Sequence, residues 1–213
     1  MSLNIYAFPL SPRSFKVLAV ANHLGLDYEF HLCDLTKGAQ KEAAYAFINP
    51  NQKAPALEED GFKLWESNAI IQYLADKKPG ALMPSDARSR ADVARWMFWE
   101  STTWDSAVAI LAFERFVKGA FGGGPPDAAE VEKGLRKFHF AAGVLEGQLK
   151  KHPFVCGDTV SLADFSLAAA LAIAEQAQLP LDAYPEISRW GGRMTDLPAW
   201  RATRALQVPA VAA

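Results

Sequence analysis

The chain has 213 residues, half of them hydrophobic and 22% charged, with 22 basic and 24 acidic side chains. This composition is typical of a globular protein with one large or two small cores, and the absence of a basic run argues against a nucleic-acid partner. The apolar stretches are too short to span a membrane, and the N-terminal sequence has no secretion-signal pattern, so we expect a cytoplasmic protein. The two cysteines and four histidines lack the spacing of a metal site, so we expect no metal.

The first eighty residues alternate between strand and helix patterns. The patterns are, in order, strand LNIYAF, helix 12–24, strand DYEFHLCDL, helix 39–47, the hairpin strands PALEE and FKLWE, and a helix from Glu66. Asp60-Gly61 supplies the turn between the hairpin strands. The predicted order is therefore β-α-β-α-β-β-α, an α/β domain.

After Pro79-Gly80 only helical patterns follow. The predicted helices cover residues 88–118, 127–151, 161–178, 185–195 and 198–205. The stretch around SLAAALAIAEQA is apolar nearly all round, so we expect this helix to be buried. We predict an N-terminal domain at 1–79, a linker at 80–87 and an all-helical domain at 88–213.

The S-P-R-S stretch at 11–14 lies where the first strand ends and the first helix begins. A C-P-x-C at this corner would indicate a thioredoxin-like redox site, but Ser11 and Ser14 occupy both sulfur positions. Ser11 followed by Pro12 is a favoured helix start, with the serine as N-cap. The same hydroxyl can donate a hydrogen bond to a thiolate from outside, which the helix N-terminus favours. The motif alone leaves both interpretations open.

Two further stretches permit contacts with a ligand. K-A-P-A-L at 53–57 holds either an ordinary loop proline or a cis proline, and a cis proline would let Ala54 pair with an extended peptide through its main chain. Ser67 either caps the third helix or binds a carboxylate together with the free N–H groups, with Glu66 available for an ammonium. Glutathione has the thiol, peptide backbone and amino-acid end that these positions would satisfy.

Over almost its whole length the chain resembles a cytosolic glutathione transferase, most closely the phi class with its theta-like relatives. The N-terminal half carries N-P-x-x-K-A-P-A-L and F-x-L-W-E-S-N-A-I-I-Q-Y-L, which resemble the thioredoxin-like glutathione-binding domain. The C-terminal half carries W-x-x-W-E, L-A-F-E-R-F-V-K and V-C-G-D-T-V-S-L-A-D-F-S-L, which resemble the phi-class helical domain. The joint order and spacing of these motifs carry the resemblance.

The resemblance implies that Ser11 is the catalytic hydroxyl, since serine-type members place it six residues before a helix-1 valine such as Val17. Tyrosine-type members carry their tyrosine just before an F-P pair, where this chain has Ala7. Tyr6 is one residue out of phase and is predicted to belong to the core. The hydroxyl of Ser14, one turn into the helix, is predicted to bond backbone or water.

The resemblance also implies a set of glutathione contacts, with glutathione as co-substrate and no other cofactor. These contacts are Gln40 and Lys41 for the glycyl end, Lys53, the main chain of Ala54, and Pro55, Glu66 and Ser67. Gln40 departs from the usual histidine and Ala54 from the usual valine or isoleucine. Lys41 and Lys53 are equally well explained as solvated surface charges.

The second substrate, a hydrophobic electrophile, is expected to meet apolar residues from both halves of the chain. The candidates are Leu10, Pro12, Leu35, Phe113, Phe116 and Phe121. An aromatic stripe at helical spacing is more often core than pocket, and we assign Trp96, Trp99 and Trp104 to packing. Ser161 and Asp164 form an S-x-x-D capping box and are interpreted as residues of the fold.

The resemblance therefore predicts a homodimeric enzyme that conjugates glutathione to hydrophobic electrophiles. Two alternatives use the same fold. One is a glutathione-dependent peroxidase acting on organic hydroperoxides, and the other is a non-enzymatic carrier of apolar ligands.

Overall fold

The structure, a computed structural model, describes residues 2–120 and 122–207. The described residues form two compact units: one runs up to Met83 and resumes at Thr195, and the other extends from Pro84 to Met194. The grouping of the C-terminal residues with the first unit was not indicated by the helical pattern. The domain bounds inferred from sequence, with a linker at 80–87, stay a prediction.

The first unit contains a four-stranded mixed sheet with strand order β2-β1-β3-β4. The strands are β1 Leu3–Ala7, β2 Glu29–Leu32, β3 Ala56–Glu59 and β4 Phe62–Trp65. Strand β1 runs parallel to β2 and antiparallel to β3, and β3 pairs with β4 as an antiparallel hairpin. The helices of this unit are α1 Pro12–His23, α2 Ala43–Ile48, α3 Ser67–Asp76 and, near the C-terminus, α10 Pro198–Ala205. The predicted order β-α-β-α-β-β-α is confirmed.

Alternation along the strands separates two faces of the sheet. Ile5 and its cross-strand partner Leu57 are fully buried on one face. On the other face Tyr6 is paired with Ala56 and packs, partly buried, against Cys33 and Tyr45. The Tyr6 ring stacks on His31 with centroids 4.6 Å apart and meets Tyr45 edge-on at 6.2 Å. Tyr6 is therefore a packing residue, as predicted.

The β3–β4 turn and the second helix show how local backbone preferences shape this unit. Asp60 and Gly61 have φ values of 50° and 84°, the positive pair that a tight two-residue hairpin requires. The helix predicted at 39–47 is divided by Glu42, whose extended backbone (ψ 143°) separates a tight turn at Ala39–Lys41 from α2. The glutathione-site candidates Gln40 and Lys41 therefore lie in a turn.

Helix α10 packs along α1. The rings of Phe15 and Trp200 lie with centroids 4.5 Å apart, and the amide of Asn22 donates to the Thr203 hydroxyl at 2.8 Å. Phe15 and Thr203 are fully buried. These contacts explain why the last helix belongs to the first unit.

Apart from loops and an isolated β-bridge between Phe154 and Gly157, the described residues of the second unit form helices. Its helices are α4 Ala87–Trp99, α5 Asp105–Ala112, α6 Lys118–Ala120, α7 Ala128–Leu149, α8 Leu162–Ala168 and α9 Pro185–Asp196. Single π-helical turns at Glu100–Trp104 and Phe113–Val117 join α4, α5 and α6 into the long helix predicted at 88–118. The alanine-rich helix predicted at 161–178 is α-helical only to Ala168 and tightens to a 3₁₀ helix over Ala169–Ile173. It is buried, as predicted.

The carboxylate of Asp164 is the polar centre of the second unit. It is fully buried and accepts hydrogen bonds from the Val155 N–H at 2.8 Å, the Ser161 N–H at 2.9 Å, the Ser161 hydroxyl at 2.8 Å and the Trp190 indole N–H at 2.9 Å. Burial raises the pKa of Asp164, and these donors act in the opposite direction. The predicted capping box at the start of α8 is confirmed, and its aspartate also joins α8 to α9.

Candidate active site

The segments that carry the predicted glutathione contacts meet at one end of the sheet. Tyr6, Ala56 and Trp65 lie side by side across β1, β3 and β4. Three segments extend from this end of the sheet. The chain after β1 leads to Ser11, Ala54 lies just before β3, and Glu66 and Ser67 follow β4. Neighbouring strands in a sheet lie about 5 Å apart, so this register brings three segments that are distant in sequence close together at one end of the sheet.

Ser11 is the N-cap residue of α1, with φ −80° and ψ 126°, and Pro12 is the first helical residue. The predicted helix start is therefore confirmed in position. Within the described residues, however, the Ser11 hydroxyl makes no hydrogen bond to the helix backbone. The first turn of α1 also contains no acidic side chain. Among the residues that the structure describes, a half-buried hydroxyl thus stands at the positive end of a helix without donating to or accepting from that helix.

Ser14 has a different environment. It is fully buried, and its hydroxyl accepts a hydrogen bond from the backbone N–H of Phe8 at 3.1 Å. This bond joins the first turn of α1 to the loop that follows β1. The prediction that the Ser14 hydroxyl bonds backbone is confirmed.

The start of α3 corrects the interpretation of Ser67 as a cap. Glu66, not Ser67, is the N-cap residue, and the structure records no side-chain cap bond there. Glu66 has φ 73° and ψ 111°, a backbone conformation that costs a non-glycine residue about 1–3 kcal/mol. Ser67 is the first helical residue and is 8% exposed. Glu66 is exposed, so its carboxylate and the N-terminal N–H groups of α3 are presented at the same corner.

A buried lysine connects the starts of these two helices and was missed in the sequence. Lys16 on α1 is 1% exposed, and its ammonium donates to the side-chain oxygen of Asn68, the second residue of α3, at 3.1 Å. The bond holds the N-terminal turn of α3 against α1. A lysine between Phe15 and Val17 gives no sequence signal of burial, because its burial depends on the partner that α3 provides.

The peptide bond between Ala54 and Pro55 is cis, which decides between the two interpretations that the sequence left open. Pro55 is buried, and Ala54 packs partly buried against the cluster of Cys33, Tyr45 and Ala56. The carbonyl of the preceding residue, Lys53, is held by two buried side chains, Tyr45 and Asn49. Neither of these two residues was singled out in the sequence, where N-P-N-Q indicated only a turn.

The remaining glutathione candidates have unequal surroundings. Lys41 and Lys53 are exposed, so their ammonium groups are accessible from solvent. Gln40 is partly buried, and its side-chain carbonyl oxygen is buried with no hydrogen-bond partner among the described residues. The role of each residue towards glutathione stays a prediction.

Family models match both halves of the chain. The model described as "Glutathione S-transferase, N-terminal domain" matches residues 1–76, and "Glutathione S-transferase, C-terminal domain" matches residues 103–198. The chain belongs to the glutathione S-transferase family. The resemblance stated from the sequence motifs is thereby confirmed, and so is its classification as an enzyme.

Plant members are among the relatives of this glutathione S-transferase. "Probable glutathione S-transferase GSTF2" of Oryza sativa subsp. japonica is 31% identical over 211 residues, covering 97% of this chain and 98% of the relative. "Glutathione S-transferase 3" of Zea mays is 34% identical over 208 residues, covering 94% of this chain and 92% of the relative. The solved structure of glutathione transferase F7 from Populus trichocarpa has a TM-score of 0.87 at 27% identity, covering 95% of this chain and 98% of that structure. These relatives support the similarity to the phi class.

The electrophile candidates of this glutathione S-transferase differ in exposure. In the first unit Leu10 and Pro12 are half-buried beside Ser11, and Leu35 packs against the cluster around Cys33. In the second unit Phe113 is 51% exposed and Phe116 half-buried, both in one π-helical turn. Phe121 lies outside the described residues. Their part in binding an electrophile stays a prediction.

The tryptophans of α4 and the following turn fill the second unit, as predicted. Trp96 and Trp104 are 6% and 1% exposed, and Trp99 contacts both rings. The Trp104 indole N–H donates to the Leu167 carbonyl at 3.1 Å, whereas the Trp96 indole N–H is buried without a partner among the residues described.

Neither cysteine belongs to the segment that begins α1, and the Cys33 N–H donates to the carbonyl of Ala7 at the end of β1. Cys33 follows β2 and is 3% exposed, and Cys156 lies half-buried in the loop before α8. Burial raises the pKa of the Cys33 thiol to about 11 and that of Cys156 to about 12. Thiols with such pKa values are protonated and unreactive at neutral pH.

Within residues 2–120 and 122–207, no group of three or more histidine, cysteine, aspartate or glutamate side chains could hold a metal ion. Over the same residues, every helix is too short or too polar to cross a lipid bilayer.

Proposed function

We propose that this glutathione S-transferase conjugates the glutathione thiolate to hydrophobic electrophiles, with Ser11 stabilising the thiolate. The observation that carries this proposal is the hydroxyl of Ser11 at the N-terminus of α1, which makes no cap bond among the described residues. A hydrogen bond from this hydroxyl to the sulfur, together with the helix dipole, would lower the pKa of the bound thiol. The solved structure of a glutathione S-transferase-I bound with lactoylglutathione supports the choice of ligand; it has a TM-score of 0.87 and 27% identity to this chain.

The remaining contacts would orient glutathione. In this proposal Glu66 meets the ammonium of the γ-glutamyl end, and Ser67 with the first N–H groups of α3 binds its carboxylate. The main chain of Ala54, before Pro55, pairs with the cysteinyl residue. Gln40 and Lys41 contact the glycyl end, and Lys53 is a further contact to glutathione.

The chemistry is a substitution that needs no covalent enzyme intermediate. The glutathione thiol loses its proton to solvent, and the thiolate held by Ser11 attacks the electrophilic carbon. With a chloronitroarene a carbon–sulfur bond forms and chloride leaves. The protein contributes the positioning of both reactants and the stabilisation of the sulfur anion.

We also propose that the enzyme is a cytoplasmic homodimer. Large aromatic side chains on the first unit are exposed, with Phe47 at 76%, Phe62 at 48% and Trp65 at 38%, which is apolar surface that a second copy would cover. Light scattering after gel filtration should give twice the mass of one chain. The mass of a single chain would contradict the dimer.

Turnover measurements test the proposed activity. The purified protein should conjugate glutathione to a chloronitroarene in an assay that follows the product by absorbance. Cumene hydroperoxide is the second substrate: faster consumption of this compound would favour the peroxidase instead. Binding of glutathione without either turnover would favour the ligand carrier, and the absence of glutathione binding would contradict the proposal.

A further inference from the structure

The carbonyl oxygen of Lys53 accepts hydrogen bonds from two buried side chains. The Tyr45 hydroxyl donates at 2.7 Å and the Asn49 side-chain amide at 2.6 Å. Tyr45 is 7% exposed and Asn49 2% exposed, whereas Lys53 itself lies on the surface. Because a carbonyl oxygen has two lone pairs, its full accepting capacity is used.

The two donors are placed by one short helix. Tyr45 lies in α2 and Asn49 is its C-cap residue, and the Asn49 N–H donates to the Tyr45 carbonyl at 2.9 Å. Residues four apart in a helix lie on the same face, so both side chains reach the same acceptor.

Asn49 also orders the loop between α2 and Ala54. Its side-chain oxygen accepts from the Asn51 N–H at 2.9 Å, and its backbone carbonyl accepts from the Gln52 N–H at 2.9 Å. Asn51 and Gln52 are exposed, and Gln52 has a positive φ of 53°. Since these two residues bury little surface, polar contacts with Asn49 rather than packing set the path of the loop.

The direction of the Lys53 carbonyl determines the direction of the Ala54 N–H. A trans peptide group is planar, and its C=O and N–H point in opposite directions. Donors on the buried side therefore turn the Ala54 N–H away from Tyr45 and Asn49. This N–H belongs to the residue proposed to pair with the cysteinyl part of glutathione.

We infer that Tyr45 and Asn49 are positioning residues for glutathione: by holding the Lys53 carbonyl, they orient the Ala54 N–H for the co-substrate. The inference rests on the proposed function. Tyr45 and Asn49 need not touch glutathione, and a phenylalanine at position 45 would fill the same space without the donor.

The protonation state of Tyr45 agrees with this role. Burial and the neighbouring Cys33 thiol raise the pKa of Tyr45 above its ordinary value of 10.0. The hydroxyl thus stays protonated, and able to donate, at every pH at which the enzyme would work.

The test compares Tyr45→Phe with Tyr6→Phe. Both variants remove one hydroxyl from the same cluster, but the Tyr6 hydroxyl lies 3.5 Å from a Glu58 carboxylate oxygen and does not reach Lys53. With a chloronitroarene as electrophile, we expect KM for glutathione to rise about five-fold in Tyr45→Phe, the equivalent of one hydrogen bond. KM for the chloronitroarene should stay unchanged, and Tyr6→Phe should match the wild type in both constants.

Asn49→Asp provides the second variant. It keeps the oxygen that accepts from Asn51 but replaces the amide that donates to Lys53. The variant is first shown to be folded by a cooperative melting transition. KM for glutathione should then rise at least as much as in Tyr45→Phe.

The outcomes separate this inference from the proposed function. Equal KM values for glutathione in wild type, Tyr45→Phe and Asn49→Asp, whatever their melting temperatures, would overturn the positioning role alone. A wild-type protein that fails to bind glutathione in calorimetry would overturn the proposed function and this inference with it.

Discussion

Ser14 accepts a hydrogen bond from the backbone N–H of Phe8 at 3.1 Å, which ties the first turn of α1 to the loop after β1. Ser11, three residues earlier, has a hydroxyl that makes no such bond to the helix. The two hydroxyls that stand at the sulfur positions of a C-P-x-C motif therefore have different environments: that of Ser14 is bonded to backbone, and that of Ser11 makes no cap bond.

Replacement of Ser11 by alanine should remove most conjugation. Loss of one donor to the sulfur anion should raise the barrier by about 2–4 kcal/mol, which is roughly 30- to 900-fold in kcat. KM for glutathione should change little, because Glu66 and Ser67 supply binding. The melting temperature should also change little, since the hydroxyl caps nothing.

Ser14→Ala is the matched control for that measurement. It leaves the Phe8 N–H without its acceptor and should cost about 1 kcal/mol of folding free energy. The folded variant should retain conjugation. Near-normal turnover in Ser11→Ala, or equal losses in both variants, would reject Ser11 as the catalytic hydroxyl.

Replacement of Ser11 by cysteine should abolish glutathione conjugation and introduce thiol–disulfide exchange with oxidised glutathione. A sulfur at the N-terminus of α1 should have a lowered pKa and attack oxidised glutathione. The attack forms a mixed disulfide at position 11 and releases one glutathione thiolate. Conjugation should be lost, and mass spectrometry of the digested protein should find glutathione on the peptide that contains this position.

Ser14→Cys provides the comparison, because position 14 is fully buried. It should form no adduct under the same conditions. If Ser11→Cys binds glutathione yet also stays unmodified, the side chain at position 11 does not face the sulfur.

Replacement of the two native cysteines should leave conjugation largely intact, with some loss of stability from lost packing and a further effect of the thiols on stability at alkaline pH. Burial raises the pKa of Cys33 to about 11 from an ordinary value of 9.0, so the unfolded state releases this proton first. Folding stability should therefore fall as the pH rises from about 9 to 11. Urea unfolding of the wild type and of a variant with both cysteines replaced by alanine should show a steeper decline in the wild type, since buried tyrosines such as Tyr45 lower the stability of both proteins at alkaline pH.

Alkylation gives an independent measurement on the same thiols. At pH 7 iodoacetamide should label the native protein far more slowly than the denatured protein, and the cysteine-free variant should retain most conjugation. Rapid labelling of the native protein, or lost activity on labelling, would show that a native thiol is reactive.

Asp164→Asn should destabilise the protein strongly. In the wild type the carboxylate accepts hydrogen bonds from three N–H donors. In the variant the amide NH₂ faces some of these donors and cannot accept from them, so buried polar groups lose their partners. We expect a loss on the order of 3 kcal/mol in the free energy of unfolding, measured in urea. Asp158→Asn, an exposed change in the preceding loop, should have no measurable effect. A loss below about 1 kcal/mol in Asp164→Asn would contradict the central role of this carboxylate.

Features that depend on a few consecutive residues could be predicted from the sequence. The β-α-β-α-β-β-α order follows from hydrophobic period, the β3–β4 turn from Asp60-Gly61, and the start of α8 from Ser161 and Asp164. Each rests on backbone preferences or side-chain bonds within a few positions, which act in almost any tertiary setting.

Element ends were less predictable. The helix expected over 39–47 is divided at Glu42, and α3 begins at Ser67 with Glu66 as its cap. Neighbouring residues in these segments have similar helix propensities, so the boundary follows from the contacts that each turn makes elsewhere in the unit.

The site depends on contacts that no local pattern encodes. The sequence by itself indicated the family through a resemblance of motifs and named Ser11, Ala54, Glu66 and Ser67 as candidates. The fold placed Tyr45 and Asn49 under the Lys53 carbonyl and buried the Lys16 ammonium against Asn68. Among the described residues it also left the Ser11 hydroxyl without a bond to the helix that it precedes. A polar group acquires its role from the donors and acceptors that distant segments bring within about 3 Å of it, and those distances exist only once the sheet and helices have packed together.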